Sequence, residues 1–398
     1  MGATHLFSNK VKNLQGSAIR EILKLTQQSD IISFAGGLPA PEMFPEKELA
    51  ALSQDILLNR GHVALQYGIT EGYAPLIETV KKRLATFGIG KDYDQVAIVS
   101  GAQQGIDLAA KVFLNEGDGI VCENPSFIGS LNGFRAYNAN LIPVTMQADG
   151  MDVQALEQIL KTTPNVKLIY TIPTFQNPTG ITMSLAKRQR LLQLAEQYNV
   201  YIIEDNPYGE LRFAGEDLPT IKQLDQTGRV IYVGSFSKIL APGLRLGWAM
   251  AREEILAKMV VCKQVSDVHS NLFAQMLADE YLKQYDITTH IQGIRALYGE
   301  RCGLMLACMD EHFPKSVTYT RPEGGLFIWC TLPEGMNSID VMKACVAKKV
   351  AFVPGSTFMV DQDAPCNCFR LNYSSMAEEK IRSGIAIMGE VLRGVCNG

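Results

Sequence analysis

The first residues of chemical interest lie in the segment 234–248, which reads GSFSKILAPGLRLGW and contains no acidic residue. Lys238 could form a Schiff base with an aldehyde, because burial lowers the pKa of a lysine amine and leaves it nucleophilic. Arg245, Ser235 and Ser237 could together bind a phosphate, since guanidinium and hydroxyl groups donate hydrogen bonds to its oxygens. The alternative for both cations is an ordinary solvated surface position.

The segment SGAQQG, residues 100–105, joins a predicted strand to a predicted helix. Free backbone N–H groups at a helix N-terminus attract phosphate, and a glycine lets a ligand approach the backbone closely. Many strand-to-helix turns look similar. The segment matches neither the dinucleotide-binding nor the Walker pattern, so it does not indicate a nucleotide.

Two further strand ends carry polar side chains. IIEDNPYGEL places Glu204, Asp205 and Tyr208 after a hydrophobic strand, and PTFQNPTG places Asn177 in a turn before a proline. Ligands of open α/β sheets bind at the carboxyl ends of the strands. A carboxylate there either caps the next helix or holds a cationic ligand group, and an amide can hold a ligand oxygen.

Taken together, successive strand ends offer a phosphate site, an amide, an acid, a lysine and an arginine. Pyridoxal phosphate needs this set: a lysine for its aldehyde, a carboxylate that keeps the ring nitrogen protonated, and an anion site. The sequence therefore predicts pyridoxal phosphate as cofactor and no metal.

Composition narrows the class of protein. The 398 residues are 47% hydrophobic and 20% charged, with net charge −4, which is typical of a globular enzyme and not of a nucleic-acid-binding protein. No apolar stretch reaches the roughly 18 residues of a membrane helix. The odd count of nine scattered cysteines, with no signal peptide evident, predicts free thiols and a cytoplasmic location.

The central part alternates short apolar strands with amphipathic helices, which predicts an α/β fold with a mostly parallel sheet flanked by helices. From about residue 287 the pattern changes to long helices and fewer strands, which indicates a smaller α+β domain. We expect a large domain over 46–286, and a small domain formed by 1–45 and 287–398, whose N-terminal segment covers the substrate.

The sequence resembles the fold-type I, class I/II pyridoxal-phosphate aminotransferases over essentially its whole length, and most closely the 2-aminoadipate/kynurenine-type branch. The resemblance is carried by SFSKILAPGLRLGW, YTIPTFQNPTG, IIEDNPYGELRF, SGAQQGIDL, SFAGGLPAPEMFP, LQYGITEGYAPLIE and CFRLNYS. It implies an aminotransferase that moves an amino group between an L-amino acid and a 2-oxo acid such as 2-oxoglutarate. The amino acid could be 2-aminoadipate, glutamate, kynurenine, or an aromatic or branched-chain amino acid.

The resemblance also implies roles for individual residues. Lys238 bonds the cofactor aldehyde and then transfers the proton, Asp205 pairs with the ring nitrogen, and Asn177 and Tyr208 bond the phenolic oxygen. Phe127 stacks on the ring. The phosphate is held at Gly101, Ala102, Gln103, Ser235, Ser237 and Arg245, and Tyr67 reaches it from the second subunit of a homodimer. Arg370 binds the substrate α-carboxylate, assisted by Asn177 and the backbone of Gly37.

Substrate choice depends on Arg20, which by the same resemblance lies on a mobile N-terminal helix and contacts a distal carboxylate. It could equally be a solvated helix residue. One alternative function is a β-lyase on the same scaffold, which would release ammonia and pyruvate from a cysteine conjugate. Another is the ligand-sensing part of a transcription regulator, but the similar region begins near Ser17 and leaves no room for a DNA-binding module. A nucleotide-binding dehydrogenase lacks its glycine fingerprint.

Overall fold

The computed structural model describes residues 6–12 and 31–396. Arg20, the predicted specificity residue, lies outside these residues. Within the described part of the chain, no helix is long and apolar enough to cross a membrane.

An eight-stranded sheet forms the centre of the larger part. In spatial order its strands are β2 (Asp94–Val99), β9 (Gly247–Arg252), β8 (Val230–Ser235), β7 (Tyr201–Asp205), β6 (Val166–Thr171), β3 (Gly119–Asn124), β4 (Asn140–Gln147) and β5 (Gly150–Met151). The run from β8 to β4 is parallel, β9 is antiparallel to both neighbours, and β5 is antiparallel to β4. The carboxyl ends of β3, β6, β7 and β8 therefore meet at one edge.

Helices surround this sheet. They are α2 (Glu46–Ala64), α3 (Ala74–Thr86), α4 (Ala102–Phe113), α5 (Ile128–Arg135), α6 (Val153–Thr162), α7 (Leu185–Gln197), α8 (Ile221–Leu224), α9 (Glu253–Asp267) and α10 (Leu272–Gln284). Every residue of β8 is buried because helices cover the sheet, which explains its unbroken apolar sequence. The predicted α/β class with a mostly parallel sheet is confirmed.

The C-terminal part has its own antiparallel sheet, in the order β10 (Thr318–Tyr319), β11 (Phe327–Thr331), β14 (Cys368–Asn372) and β13 (Val353–Pro354). It packs with the helices α11 (Ile287–His312), α12 (Ser338–Ala347) and α13 (Glu378–Cys396). The short helix α1 (Asn9–Lys12) lies near the N-terminus. β1 (Ile32–Ser33) pairs in parallel with β12 (Val350–Ala351), which joins the N-terminal segment to this part. The domain boundaries at residues 46 and 287 stay a prediction.

Candidate active site

A cavity of about 280 Å³ lies at the carboxyl edge of the large sheet, where the C-terminal part covers it. Most of the residues predicted from the sequence line it: Gly37, Ala102, Gln103, Phe127, Asn177, Asp205, Tyr208, Ser235, Ser237, Lys238, Arg245 and Arg370. The walls are completed by Ile106, Ile172, Pro207 and Phe327. Parallel strands bring their ends to one edge, so residues far apart in sequence share this space.

Lys238 follows β8 and reaches the N-terminal segment, where its Nζ donates a hydrogen bond of 2.7 Å to Gly37 O. Burial, together with the positive charges of Arg370 and Arg245, lowers the pKa of its amine to about 8. A desolvated ammonium beside two guanidinium groups loses its proton more easily than a solvated one. About a tenth of Lys238 is therefore a neutral amine at pH 7, far more than for a solvated lysine.

Asp205 is the last residue of β7 and is buried. Its Oδ2 accepts a hydrogen bond of 2.7 Å from the Tyr170 hydroxyl, while Oδ1 has no partner among the described residues. Burial raises the pKa of Asp205 to about 7, with a further rise from Glu123 and an opposing effect of the Tyr170 hydrogen bond. A carboxylate with one buried free oxygen is an acceptor that fits a cationic N–H group.

The two acids at the end of β7 have different tasks. The Glu204 carboxylate accepts hydrogen bonds from the backbone N–H groups of Ile221, at 2.9 Å, and Lys222, at 2.7 Å. It thus satisfies the first turn of α8, so the helix-capping interpretation holds for Glu204. Asp205, one residue later on the opposite face of the strand, lines the cavity.

Asn177 connects two other groups in the cavity. Its Nδ2 donates to the Tyr208 hydroxyl at 3.3 Å, and its Oδ1 accepts from Arg370 at 2.8 Å. Burial and the charge of Asp205 raise the pKa of Tyr208, against the influence of Arg370. The Tyr208 hydroxyl and the Asn177 amide therefore both offer neutral hydrogen-bonding groups at one point of the wall.

Arg370 is held by the small sheet and by the N-terminal segment. One of its terminal nitrogens donates to Ala35 O at 2.7 Å. Its guanidinium carbon lies 4.1 Å from the ring centre of Phe327 and 4.7 Å from that of Phe358. Burial lowers its pKa to about 10, so the group remains charged at neutral pH. Its Nε is buried without a partner in the described part of the chain.

The opposite end of the cavity carries the predicted phosphate site. Gly101 precedes α4 with φ of +79°, and a Cβ added there would lie 2.5 Å from a terminal nitrogen of Arg245. The Arg245 guanidinium therefore lies directly over the N-terminus of α4. The backbone N–H of Ser237 donates to Ser235 Oγ at 3.1 Å, and both serines line the same cavity as Arg245.

These features fit pyridoxal phosphate. The unpaired Asp205 oxygen suits the protonated ring nitrogen, and Tyr208 with Asn177 suits an oxygen substituent on the ring. The cradle that a Cβ at Gly101 would fill combines a cation, two hydroxyl groups and a helix N-terminus, and all of these attract a phosphate.

Tyr67 lies apart from the cavity on the surface, 81% exposed, with its ring edge against His269 at 5.8 Å. Tyr170, Phe327 and Phe358 contact the Asp205 and Arg370 groups but were not predicted. Each stands in an apolar stretch, VKLIYTIP, GGLFIWC or GSTFMV, where only the general periodicity of a buried segment is visible.

Comparison with known proteins identifies the family to which the chain belongs. The model of the family described as aminotransferase class I and II matches residues 30–387. The chain is 43% identical over 395 residues to aromatic-amino-acid aminotransferase 1 of Thermococcus litoralis, covering 97% of this chain and 94% of that protein.

Two solved structures are similar throughout. The kynurenine aminotransferase of Pyrococcus horikoshii, crystallised with PMP, has a TM-score of 0.94 and 42% identity over 98% of each chain. The α-aminoadipate aminotransferase of Thermus thermophilus, complexed with N-(5'-phosphopyridoxyl)-L-leucine, has a TM-score of 0.91 and 38% identity over 100% of each chain. The chain therefore belongs to the aminotransferase class I and II family, as its motifs predict, and uses pyridoxal phosphate as its cofactor.

Proposed function

We propose that this aminotransferase exchanges amino groups between several L-amino acids and 2-oxo acids, with glutamate and 2-oxoglutarate as one pair. The observation that carries the proposal is the convergence of three groups on one cavity: an amine of lowered pKa, an unpaired buried carboxylate oxygen and a buried guanidinium. When bound, pyridoxal phosphate supplies an aldehyde for an amine and a ring that takes up the electron pair left by the substrate Cα proton.

In this proposal Lys238 is the covalent anchor and the proton carrier. Its Nζ would hold the cofactor at the aldehyde carbon, and as a free neutral amine it would accept the proton that leaves the substrate Cα. The lowered pKa keeps enough of the neutral form at physiological pH for both tasks. The hydrogen bond of 2.7 Å to Gly37 O orients the free amine.

Asp205 would hold the ring nitrogen in its protonated form through Oδ1. Tyr208 and Asn177 would hold the phenolic oxygen, and Phe127 would cover one face of the ring. Ala102, Gln103, Ser235, Ser237 and Arg245 would hold the phosphate, with Gly101 leaving room for it. These contacts would fix the cofactor at its ring nitrogen, its phenolic oxygen and its phosphate.

Arg370 would bind the substrate α-carboxylate with its planar fork. The two aromatic rings that flank it keep water from the guanidinium, so the charge pair forms in a medium of low polarity. A carboxylate fixed at this point would decide which Cα bond faces Lys238, a positioning effect that would favour proton loss over decarboxylation.

The names of the relatives support a broad substrate range, since they include aromatic amino acids, kynurenine and α-aminoadipate. Arg20 would bind the distal carboxylate of 2-aminoadipate, glutamate or 2-oxoglutarate.

A homodimer with shared active sites is part of the proposal. Five apolar side chains, here together called the α2 edge, are each at least 60% exposed: Leu58, Leu65, Tyr67, Ile69 and Val265. An exposed surface of this kind is typical of a subunit interface. The Tyr67 hydroxyl would then donate a hydrogen bond to the phosphate in the cavity of the second subunit.

A half-reaction panel tests the function directly. The purified protein is loaded with pyridoxal phosphate and mixed with single L-amino acids without any 2-oxo acid, and loss of the yellow colour is followed as the amine form of the cofactor appears. Fastest conversion by 2-aminoadipate and glutamate supports the Arg20 pocket, and fastest conversion by aromatic amino acids contradicts it. The Lys238→Ala protein is the control and should convert none of them.

Absence of conversion by every amino acid would contradict the transamination proposal. In that case release of ammonia and pyruvate from a cysteine conjugate would identify a β-lyase instead. Both reactions use the same purified protein, so one preparation decides between them.

A further inference from the structure

A second cavity, of about 380 Å³, lies behind the first, between α3 and the loop that follows β7. The two cavities share a wall formed by Pro207 and Ser235. Apolar side chains such as Leu84, Phe236 and Trp248 form much of its interior. The volume would accommodate a ligand of about ten non-hydrogen atoms, at the small end of known ligand sites.

One end of this second cavity is rich in positive charge. Arg83 forms an ion pair with the Glu210 carboxylate, and Arg295 Nε donates to Glu210 O at 2.7 Å. Both guanidinium groups also act on the Glu210 carboxyl electrostatically. Glu210 forms its ion pair with Arg83 alone, and Arg295 has no ion pair among the described residues, so a second carboxylate would balance Arg295.

Three residues that line the cavity carry a buried polar atom without a partner. These are Arg83 Nε, Asn206 Oδ1 and Trp248 Nε1, for which the described residues offer no hydrogen bond. Buried polar groups in proteins are nearly always paired, so these three atoms on residues of one cavity wall are polar groups for which the described residues supply no partner. The two donors suit an acceptor group, and the surrounding apolar walls suit a ring.

We propose that this second cavity binds a small monocarboxylate with an apolar ring, as a ligand separate from the reacting amino acid. Its carboxylate would contact Arg295 and Arg83, and its ring would pack against Trp248. The inference concerns a different site from the proposed transamination and does not depend on its substrate.

A ligand in the second cavity could affect the cofactor site through residues that contact both cavities. A Cβ added at Gly234 would lie 2.2 Å from the Trp248 ring, so this ring rests on the backbone next to Ser235. Asn206 Nδ2 donates to the Tyr232 hydroxyl at 2.9 Å and lies two residues before Tyr208. A ligand that moves Trp248 or Asn206 would therefore shift groups on both sides of the first cavity.

Tryptophan fluorescence can detect this binding, because the chain has only two tryptophans, Trp248 and Trp329. In a Trp329→Phe background the emission reports on Trp248 alone. The cofactor-loaded protein is titrated with 3-phenylpropionate, and the neutral alcohol 3-phenyl-1-propanol serves as a probe of equal size without the charge. We expect a saturable change for the acid and at least a roughly tenfold weaker one for the alcohol.

Matched variants locate the site. Arg295→Met should weaken binding of 3-phenylpropionate roughly tenfold, Arg295→Lys should keep most of it, and Arg321→Met, at an exposed arginine paired with Asp310, should leave it unchanged. Arg370→Gln should also leave it unchanged, because Arg370 belongs to the first cavity. No saturable change, or a change abolished by Arg370→Gln but not by Arg295→Met, would overturn the proposal.

Discussion

The Tyr170 hydroxyl stands between Ser130 and Asp205: it accepts a hydrogen bond of 2.9 Å from Ser130 Oγ and donates one of 2.7 Å to Asp205 Oδ2. Successive hydrogen bonds of this kind strengthen one another in a buried setting. The hydrogen bond from Tyr170 lowers the pKa of Asp205, whereas burial of the carboxyl group raises that pKa. Tyr170 thus favours the ionised form of Asp205 and leaves Oδ1 free for the cofactor, which makes it a positioning residue.

Removing this hydroxyl should shift the pH dependence of the reaction. Tyr170→Phe abolishes an interaction that lowers the pKa of Asp205, so this pKa rises above about 7. The ionised form then requires a higher pH, and the acid limb of the kcat/KM profile moves upward, with a loss of roughly tenfold at pH 7.

Tyr319→Phe is the matched control, since the Tyr319 hydroxyl also bonds an aspartate, Asp310, at 2.6 Å, but on the surface. Its profile should coincide with that of the unaltered protein. An unshifted acid limb in Tyr170→Phe would show that Tyr170 has no influence on Asp205.

The cradle at the start of α4 can be tested with two glycines that share a strained backbone. Gly101→Ala places a Cβ 2.5 Å from the Arg245 guanidinium at φ of +79°, whereas Gly117→Ala, at φ of +86°, meets nothing within 4 Å. Both should lose stability because alanine disfavours positive φ, and Gly101→Ala should lose more, since its ψ of 164° at positive φ lies in a region nearly confined to glycine. Only Gly101→Ala should weaken the binding of pyridoxal phosphate to the apoprotein, by roughly tenfold in equilibrium dialysis. Equal affinities in the two variants would place the phosphate elsewhere.

Lys238 should reduce the stability of the apoprotein. Its pKa in the folded state, about 8, lies below the ordinary 10.5, so the folded protein binds this proton less tightly than the unfolded chain does. The resulting penalty is complete below pH 8 and disappears as the pH rises to 10.5. Lys238→Met should therefore raise the free energy of unfolding by about 1–2 kcal/mol at pH 7, and by much less at pH 10.

Urea denaturation of the apoproteins at the two pH values measures this difference. Lys111→Met, at an exposed lysine of α4, is the control and should show a small difference that does not change with pH. A Lys238→Met protein less stable than the original at pH 7 would mean that the Gly37 hydrogen bond outweighs the cost of burying the amine.

How far the sequence predicts this site depends on where each group stands. Asp205 ends a strand and Lys238 and Asn177 follow strands, and parallel strands end at a common edge, so their convergence is a direct consequence of the fold. Tyr170 could not be predicted in the same way, because it lies inside β6 and reads as one more apolar position. The sequence left open whether the acids after β7 cap a helix or face a ligand, and Glu204 and Asp205 divide these two tasks.

Contacts between distant segments were beyond prediction from motifs. Arg370 bonds Ala35 O across 335 residues of chain, and Lys238 bonds Gly37 O across 201. Both depend on how the N-terminal segment crosses the cavity, which is decided by tertiary packing and not by local pattern.

The α2 edge should hold the dimer together. Leu65→Asp introduces a charge at a residue 76% exposed in one subunit, so a monomer tolerates it but an apolar interface does not. We expect this variant to sediment as a monomer with little activity, while Leu185→Asp, at an exposed leucine of α7, remains a dimer. Tyr67→Phe should stay dimeric and bind pyridoxal phosphate less tightly. A fully active monomer would contradict the shared site.

The two proposed carboxylate-binding arginines should differ in which substrates they affect. Arg370 would bind the α-carboxylate common to every substrate, so Arg370→Lys, which keeps the charge but loses the planar fork, should lower kcat/KM for all amino acids by roughly a hundredfold. Arg20 would meet only a distal carboxylate, so Arg20→Ala should raise KM roughly tenfold for 2-aminoadipate and 2-oxoglutarate and leave phenylalanine nearly unchanged. Steady-state kinetics with both substrate classes separates the two patterns. Equal losses for acidic and aromatic substrates in Arg20→Ala would show that Arg20 does not select between them, and the selecting group would have to be sought elsewhere around the cavity.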